Sequence, residues 1–255
     1  MNDLYVVPVS IMLILLGSLT FRRFTAGSPD GARFLFRRSG RVALMGLLLT
    51  SSYVLLVPAI YMWAERFSPL SNGTDVVGKC LALVAVALLG EHLSYTYNAT
   101  SALRWHIGTR GAIAIGTAAF GLFATTFLAD APDPSPQLAA YADQTPVEIN
   151  TWIMLAYVAY IVTPLIVHIA KDARHNPLFI GRWGSALIAI GFTLSVVRAF
   201  AYFPLELSLG PGAFLWFMMV SYVSTACVAL GLWSFAISRR RKLPSRKLTV
   251  GLSID

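Results

Sequence analysis

Seven long apolar runs limit the folds that are open to this chain of 255 residues. Each run holds about 18 or more residues with few charges, the length that a helix needs to cross a bilayer about 30 Å thick. Strand-like alternation between turn residues is missing, so a barrel is not expected. The pattern predicts an all-α membrane protein, a bundle of seven transmembrane helices. The predicted spans are Tyr5–Phe21, Val42–Trp63, Val76–Ala99, Gly111–Leu128, Ile149–Ala170, Trp183–Phe203 and Gly212–Ser238.

The distribution of charge predicts how this bundle is oriented. Only 13% of the residues are charged, whereas soluble domains carry about 25%. Seventeen of the 20 lysines and arginines fall in alternate connections, at residues 22–41, 101–110, 171–182 and 239–255. Cytoplasmic loops collect Lys and Arg, so we expect the N-terminus outside and the C-terminus in the cytoplasm. Residues 1–238 then form the transmembrane domain of a bacterial inner (plasma) membrane protein, and residues 239–255 form a basic cytoplasmic tail.

The same composition narrows the expected partners. The net charge is +8, but the cations lie in several loops instead of on one face, which disfavours nucleic acid as a partner. We expect the lipid bilayer as the main surroundings, with a cytoplasmic protein as an alternative partner of the tail at residues 239–255. Ala112 and Gly116 form a small-xxx-small pair in the fourth span, which predicts a central helix or the seam of a homo-oligomer.

A polar stripe interrupts the third span and gives the strongest indication of function. At about 100° per residue, Glu91, Tyr95 and Asn98 fall on one helical face. An acid near the centre of a bilayer costs roughly 2.5 to 3.5 kcal/mol, so it marks a functional site or a buried partner. Arg198 in the sixth span is a candidate partner of Glu91. We therefore predict a polar cavity around Glu91, lined by the third, fifth and sixth spans.

Histidines and missing motifs complete the list of candidate sites. His92 adjoins the acid and His168 follows Pro164 in the fifth span, so two imidazoles on different helices could ligate haem or relay protons. No other cofactor and no metal site is expected. HExxH, GxSxG and Walker motifs are missing, which disfavours an enzyme, and the seventh span has no lysine for a retinal Schiff base.

Three segments resemble a known family. They are PAIYMWAERFSPLSNGT after the second span, AAYADQTPVEINTW entering the fifth and PLFIGRWGSALIAIGFTLSVVRAF through the sixth. The matching positions are Pro58, Tyr61, Asn72, Tyr141, Asp143 and Pro146. The chain thereby resembles a family of actinobacterial seven-helix integral membrane proteins described as transporters. Members often carry a further cytoplasmic domain, whereas here only a 17-residue tail follows the last predicted span.

These observations lead to three functional hypotheses. The first is a small-solute transporter, coupled to protons at Glu91. The second is a seven-helix sensor that detects a ligand outside and signals through a cytoplasmic partner. The third is a haem-binding redox protein that uses His92 and His168.

Overall fold

A computed structural model describes residues 3–25, 40–209 and 212–241, and these residues form helices and connecting loops without a strand. Residues 26–39 of the first basic connection and residues 242–255 of the tail lie outside the described residues. The helices are α1 (Asp3–Thr25), α2 (Arg41–Val54), α3 (Pro58–Glu65), α4 (Gly73–Thr96), α5 (Thr100–His106), α6 (Thr109–Leu128), α7 (Thr145–His175), α8 (Phe179–Leu209) and α9 (Gly212–Arg241), with a 3-10 helix at Pro136–Tyr141 before α7.

Four helices in the described part of the chain, α4, α6, α7 and α8, are long and apolar enough to cross a membrane. Together α2 and α3 meet the same standard but are bent by 87°, which brings the number of candidate spans to five if the pair is counted as one. Shorter apolar stretches, Val9–Ser18 and Met219–Phe235, occur in α1 and α9. Phe120, Phe127 and Phe200 are exposed on the outside of the bundle, which suits contact with lipid. The fold is thus helical and membrane-embedded.

The bend between α2 and α3 interrupts the single span that the sequence predicts over Val42–Trp63. Val57 is extended, with φ −68° and ψ 119°, and Pro58 begins α3. A proline ring excludes the helical conformation from the residue before it, and it is tolerated in the first turn of the next helix. The chain therefore turns at Pro58. The turn also buries Tyr61.

The helices pack as a ring with one helix outside it. Each helix of the ring contacts the next in the order α1, α2, α4, α7, α8 and α9, and α9 contacts α1. Helix α6 packs on α4 and α7 from outside the ring. The largest hydrophobic cluster is centred on α4 and α7 and includes Leu83, Leu93, Ile161 and Leu165. A ring of this kind leaves room at its centre, and a cavity lies there.

Glycines allow α8 and α9 to pack closely. A Cβ atom on Gly231 of α9 would lie 2.5 Å from Ile188 Cγ1 and 2.7 Å from the Gly184 carbonyl oxygen of α8. Gly116 has nothing within 4 Å of such an atom, and Ala112 is exposed as well. The expectation that the Ala112 and Gly116 face makes α6 central is therefore wrong for the single chain. A homo-oligomer seam on that face stays a prediction.

We predict that Gly231→Ala destabilises the protein, because its new methyl group meets the α8 backbone, which cannot move aside as a flexible side chain would. Over-packing of this kind costs about 1 to 3 kcal/mol. Gly116→Ala is the matched control and should stay within about 0.5 kcal/mol of the parent. Thermal unfolding in detergent compares the two variants, and an equal loss in both would contradict the close α8 and α9 contact.

Candidate functional site

A cavity of about 280 Å³ lies inside the ring of helices. Its walls come from α2, α4, α7, α8 and α9, and it lies toward the end of the bundle at which α4 and α7 begin, called the outer end below after the predicted orientation. The lining is mostly apolar, with polar side chains grouped near α8 and α9 and at the outer end. Arg198 of α8 is one of the lining residues, and Glu91 is not.

A strained loop closes the outer end of the cavity. Gln137 and Leu138 have φ values of 60° and 56°, a left-handed conformation that side chains other than glycine rarely adopt. Leu138 is fully buried in a small apolar cluster with Ala131 and Val147, while Gln137 lines the cavity. Strain of this kind costs of order 1 to 3 kcal/mol per residue and persists only where the surroundings hold it in place. The loop between α6 and α7 is therefore an ordered roof.

Asn72 holds this roof in position. Its Oδ1 accepts hydrogen bonds from Tyr61 Oη at 2.9 Å and from the Ser135 amide at 2.7 Å. Its Nδ2 donates to the carbonyl oxygens of Ala131, at 3.1 Å, and Asp133, at 3.2 Å. The side chain thereby joins α3 to the loop between α6 and α7, and it is fully buried.

A buried ion pair lies below the roof. The Lys79 ammonium is 2.6 Å from Asp75 Oδ2 and donates to Asn150 Oδ1, also at 2.6 Å. Asn150 in turn donates to the Leu122 carbonyl and to the Thr125 and Thr126 hydroxyls. Asp75 and Lys79 both line the cavity. Their charges cancel, so this group adds hydrogen-bonding capacity at the outer end without net charge.

Glu91 has a different partner from the predicted one. It forms an ion pair with Arg41, the first residue of α2, and both side chains are partly exposed, at 21% and 31%. Arg198 instead donates to the Ser221 hydroxyl of α9. The predicted network between Glu91 and Arg198 is therefore not formed. Glu91 therefore lies toward the end of the bundle opposite the outer end, beside the start of α2. The proton or cation site at Glu91 stays a prediction.

The remaining predicted residues lie apart from the cavity. Asn98 is exposed and has φ 51°. The Ala99 amide donates to the Ser94 carbonyl at 2.8 Å and the Asn98 amide to the Tyr95 carbonyl at 3.4 Å, the pattern that ends a helix with a left-handed residue. Asn98 is thus a helix stop, which the sequence could have indicated. Tyr95, His92 and His168 are partly buried on α4 and α7, and none of them lines the cavity.

His106 is a buried polar residue that the sequence interpretation missed. The Ser94 hydroxyl donates to the Gly90 carbonyl at 2.7 Å, so it accepts from His106 Nδ1, 3.0 Å away. Nε2 is buried without a hydrogen-bond partner among the described residues. Burial lowers the pKa of the His106 imidazole, and the nearby Ile161 and Gly90 backbone groups offset part of that effect. The described residues hold no group of three His, Cys, Asp or Glu side chains that could bind a metal ion.

Comparisons of the chain with family models, with curated proteins and with solved structures find no match. The resemblance to the actinobacterial transporter family stays a prediction. Its matching positions Tyr61 and Asn72 share a hydrogen bond, and Tyr141 bonds through its hydroxyl to the Asp133 backbone in the same roof. Residues from two of the three segments that carry the resemblance therefore lie together at the outer end.

We predict that Asn72→Gly costs about 2 to 4 kcal/mol of stability, because four buried hydrogen bonds are lost. Asn72 has a left-handed backbone with φ 59°, which glycine adopts readily. The loss of stability in this variant therefore measures the contribution of the side-chain amide alone. Asn98→Gly is the matched control, since Asn98 has a similar backbone but an exposed side chain, and it should change stability by less than about 0.5 kcal/mol. Thermal unfolding and limited proteolysis between residues 129 and 144 report both effects. Equal stability of the two variants would contradict the role of the Asn72 hydrogen bonds.

We also predict a stability that falls with acid because of His106. The pKa of His106 in the folded protein lies below its usual value of 6.5. Between these two pKa values the unfolded chain binds more protons than the folded protein, so the free energy of unfolding decreases as the pH drops. The contribution of neutral His106 is present above pH 6.5 and is lost as the pH falls through the folded pKa. His106→Gln should flatten the decrease in melting temperature between pH 7.5 and 5, whereas His175→Gln, at the exposed end of α7, should leave it unchanged.

Proposed function

We propose that this chain is a seven-helix protein of the inner membrane, with its N-terminus outside, that moves a small solute through the central cavity. The observation that carries the proposal is the position of the cavity between two polar contacts that join different helices. At its outer end Lys79 of α4 donates to Asn150 of α7. Beyond its other end Arg41 of α2 forms an ion pair with Glu91 of α4. A site that is closed on both sides by polar contacts fits alternating access, in which one contact opens while the other stays closed.

The ion pair between Arg41 and Glu91 is the proposed inner gate. It joins the start of α2 to the last two turns of α4, and both helices line the cavity. A proton on Glu91 removes the negative charge that holds Arg41, and the two helices can then separate at the cytoplasmic end. This step would couple opening of the cavity to the proton gradient. It keeps the predicted role of Glu91 but moves that role from the cavity wall to its cytoplasmic exit.

A second candidate function, sensing, is favoured by the ordered roof. Residues 129–144 are fixed by Asn72, by the Tyr141 contact with Asp133 and by the Gln144 contacts with Asp130. A roof of this kind could change shape when a ligand enters and pass the change to α7, which follows it directly. A cytoplasmic partner would then read the signal, and its co-purification should be lost when residues 239–255 are removed.

Cysteine labelling separates these two functions without knowledge of the solute. Cys80 and Cys227 are replaced by alanine, and Ser195, which lines the cavity, is replaced by cysteine. For a transporter, a membrane-impermeant maleimide should label Ser195→Cys from either face of sealed vesicles. For a sensor, labelling should occur only from the outer face. Thr193→Cys is the control, because its side chain is exposed on the lipid side two residues away.

Removal of the acid in the inner gate should change this labelling. We predict that Glu91→Gln increases labelling of Ser195→Cys from the cytoplasmic face by about two- to five-fold, since a partly exposed ion pair contributes up to about 1 kcal/mol. Glu148→Gln, at the opposite end of the bundle, should leave the labelling unchanged. If Ser195→Cys is labelled from neither face, both proposed functions are overturned. If Glu91→Gln and Glu148→Gln change the labelling equally, the inner gate is overturned.

A further inference from the structure

The charges that line the cavity do not balance. Among the described lining residues the cations are Lys79 and Arg198, and the carboxylate is Asp75, which pairs with Lys79. Arg198 Nη1 donates to the Ser221 hydroxyl, while Nε is buried and has no hydrogen-bond partner in the described part of the chain. One guanidinium therefore faces the cavity with a donor to spare and with no described carboxylate paired to it.

A guanidinium in this position favours an anion. Burial of an unpaired charge is costly, and an anion that accepts from the free N–H groups removes most of that cost. The guanidinium is planar and matches the two oxygens of a carboxylate in a bidentate arrangement. Hydroxyl groups line the same region: Tyr53 Oη lies 3.4 Å from Thr225 Oγ1, and the Ser195 and Ser224 hydroxyls lie 2.6 Å apart. These groups provide a polar setting for one carboxylate.

The remainder of the lining limits the body of the ligand. Apart from these polar groups, most of the wall consists of apolar side chains, which include Leu49, Val86, Val158, Val162 and Phe192. An inorganic anion would leave this surface without contacts. The volume of about 280 Å³ is at the lower end of the range for ligand pockets, roughly 300 to 1,000 Å³, so the space suits a small molecule and not a two-chain lipid.

We propose that the cavity binds a small monocarboxylate with an apolar body, its carboxylate on Arg198 and its body against the apolar wall. The inference rests on the proposed function, because it names the class of solute that the same cavity takes. It also assigns Arg198 a role that Glu91 does not share: the arginine selects the solute, and the glutamate controls its exit.

Calorimetric titration of the purified full-length protein in detergent tests the inference with three probes of matched length: hexanoate, hexanol and hexylamine. Hexanoate should bind at least tenfold more tightly than the other two. Arg198→Gln should weaken hexanoate binding by roughly 30-fold or more, as expected when one partner of a buried charge pair is removed. Arg198→Lys keeps the positive charge but not the planar guanidinium, so it should lose less affinity for hexanoate than Arg198→Gln does. Arg110 is an exposed arginine outside the cavity, and Arg110→Gln should bind hexanoate like the parent protein.

Comparison of the parent protein with the three probes decides the matter even if the Arg198 variants do not fold. Equal binding of hexanoate and hexanol, or tighter binding of hexylamine, would overturn the carboxylate class. The two proposals fail separately. Hexanoate binding that depends on Arg198, together with labelling of Ser195→Cys from one face only, would support the ligand and overturn transport. Labelling from both faces without hexanoate binding would support transport and overturn the ligand.

Discussion

The break at Pro58 is the constraint on which the outer end of this protein depends. Because Val57 is forced into an extended conformation, the second apolar run does not continue straight, and α3 turns by 87° from α2. That turn brings Tyr61 into the bundle, where its hydroxyl bonds to Asn72. Asn72 in turn holds the loop between α6 and α7 over the cavity. Pro58 therefore positions Tyr61, and the hydrogen bond from Tyr61 helps to position Asn72, which holds the roof of the candidate site in place.

The structure separates the polar groups of the bundle into levels with different tasks. At the outer end the Asp75 and Lys79 pair is neutral and well supplied with hydrogen bonds through Asn150. At the level of the cavity Arg198 keeps a donor without a partner among the described residues. Toward the end opposite the outer end, Arg41 and Glu91 form a pair that is partly exposed. Since the cost of a charge in a bilayer depends on its partner and its access to water, the middle level is the one from which a ligand gains most.

The sequence predicted the four long apolar helices α4, α6, α7 and α8 more closely than the contacts between helices, for a physical reason. Runs of apolar residues are local, and the predicted spans Val76–Ala99 and Ile149–Ala170 correspond to α4 and α7. The depth at which two helices pack is not local. The helical periodicity groups Glu91 with Tyr95, but only the packing of α2 on α4 decides that Arg41, and not Arg198, reaches the acid. The helix break at Pro58 and the helix stop at Asn98 could have been predicted from those residue types. Both lie inside predicted apolar spans, so a prediction from hydrophobicity alone missed them.

The two ion pairs differ in one respect that bears on any motion of the bundle. Asp75 and Lys79 are one turn apart on the same helix, so they keep each other neutral whichever way α4 tilts or rotates. Arg41 and Glu91 belong to separate helices, so their attraction depends on the distance between α2 and α4. The pair of Asp75 and Lys79 therefore moves with α4 as one unit, whereas the pair of Arg41 and Glu91 holds α2 and α4 together. Tilting of α4 would therefore leave the outer charges matched while it releases the inner ones, so the two ends of the bundle respond unequally to the same displacement.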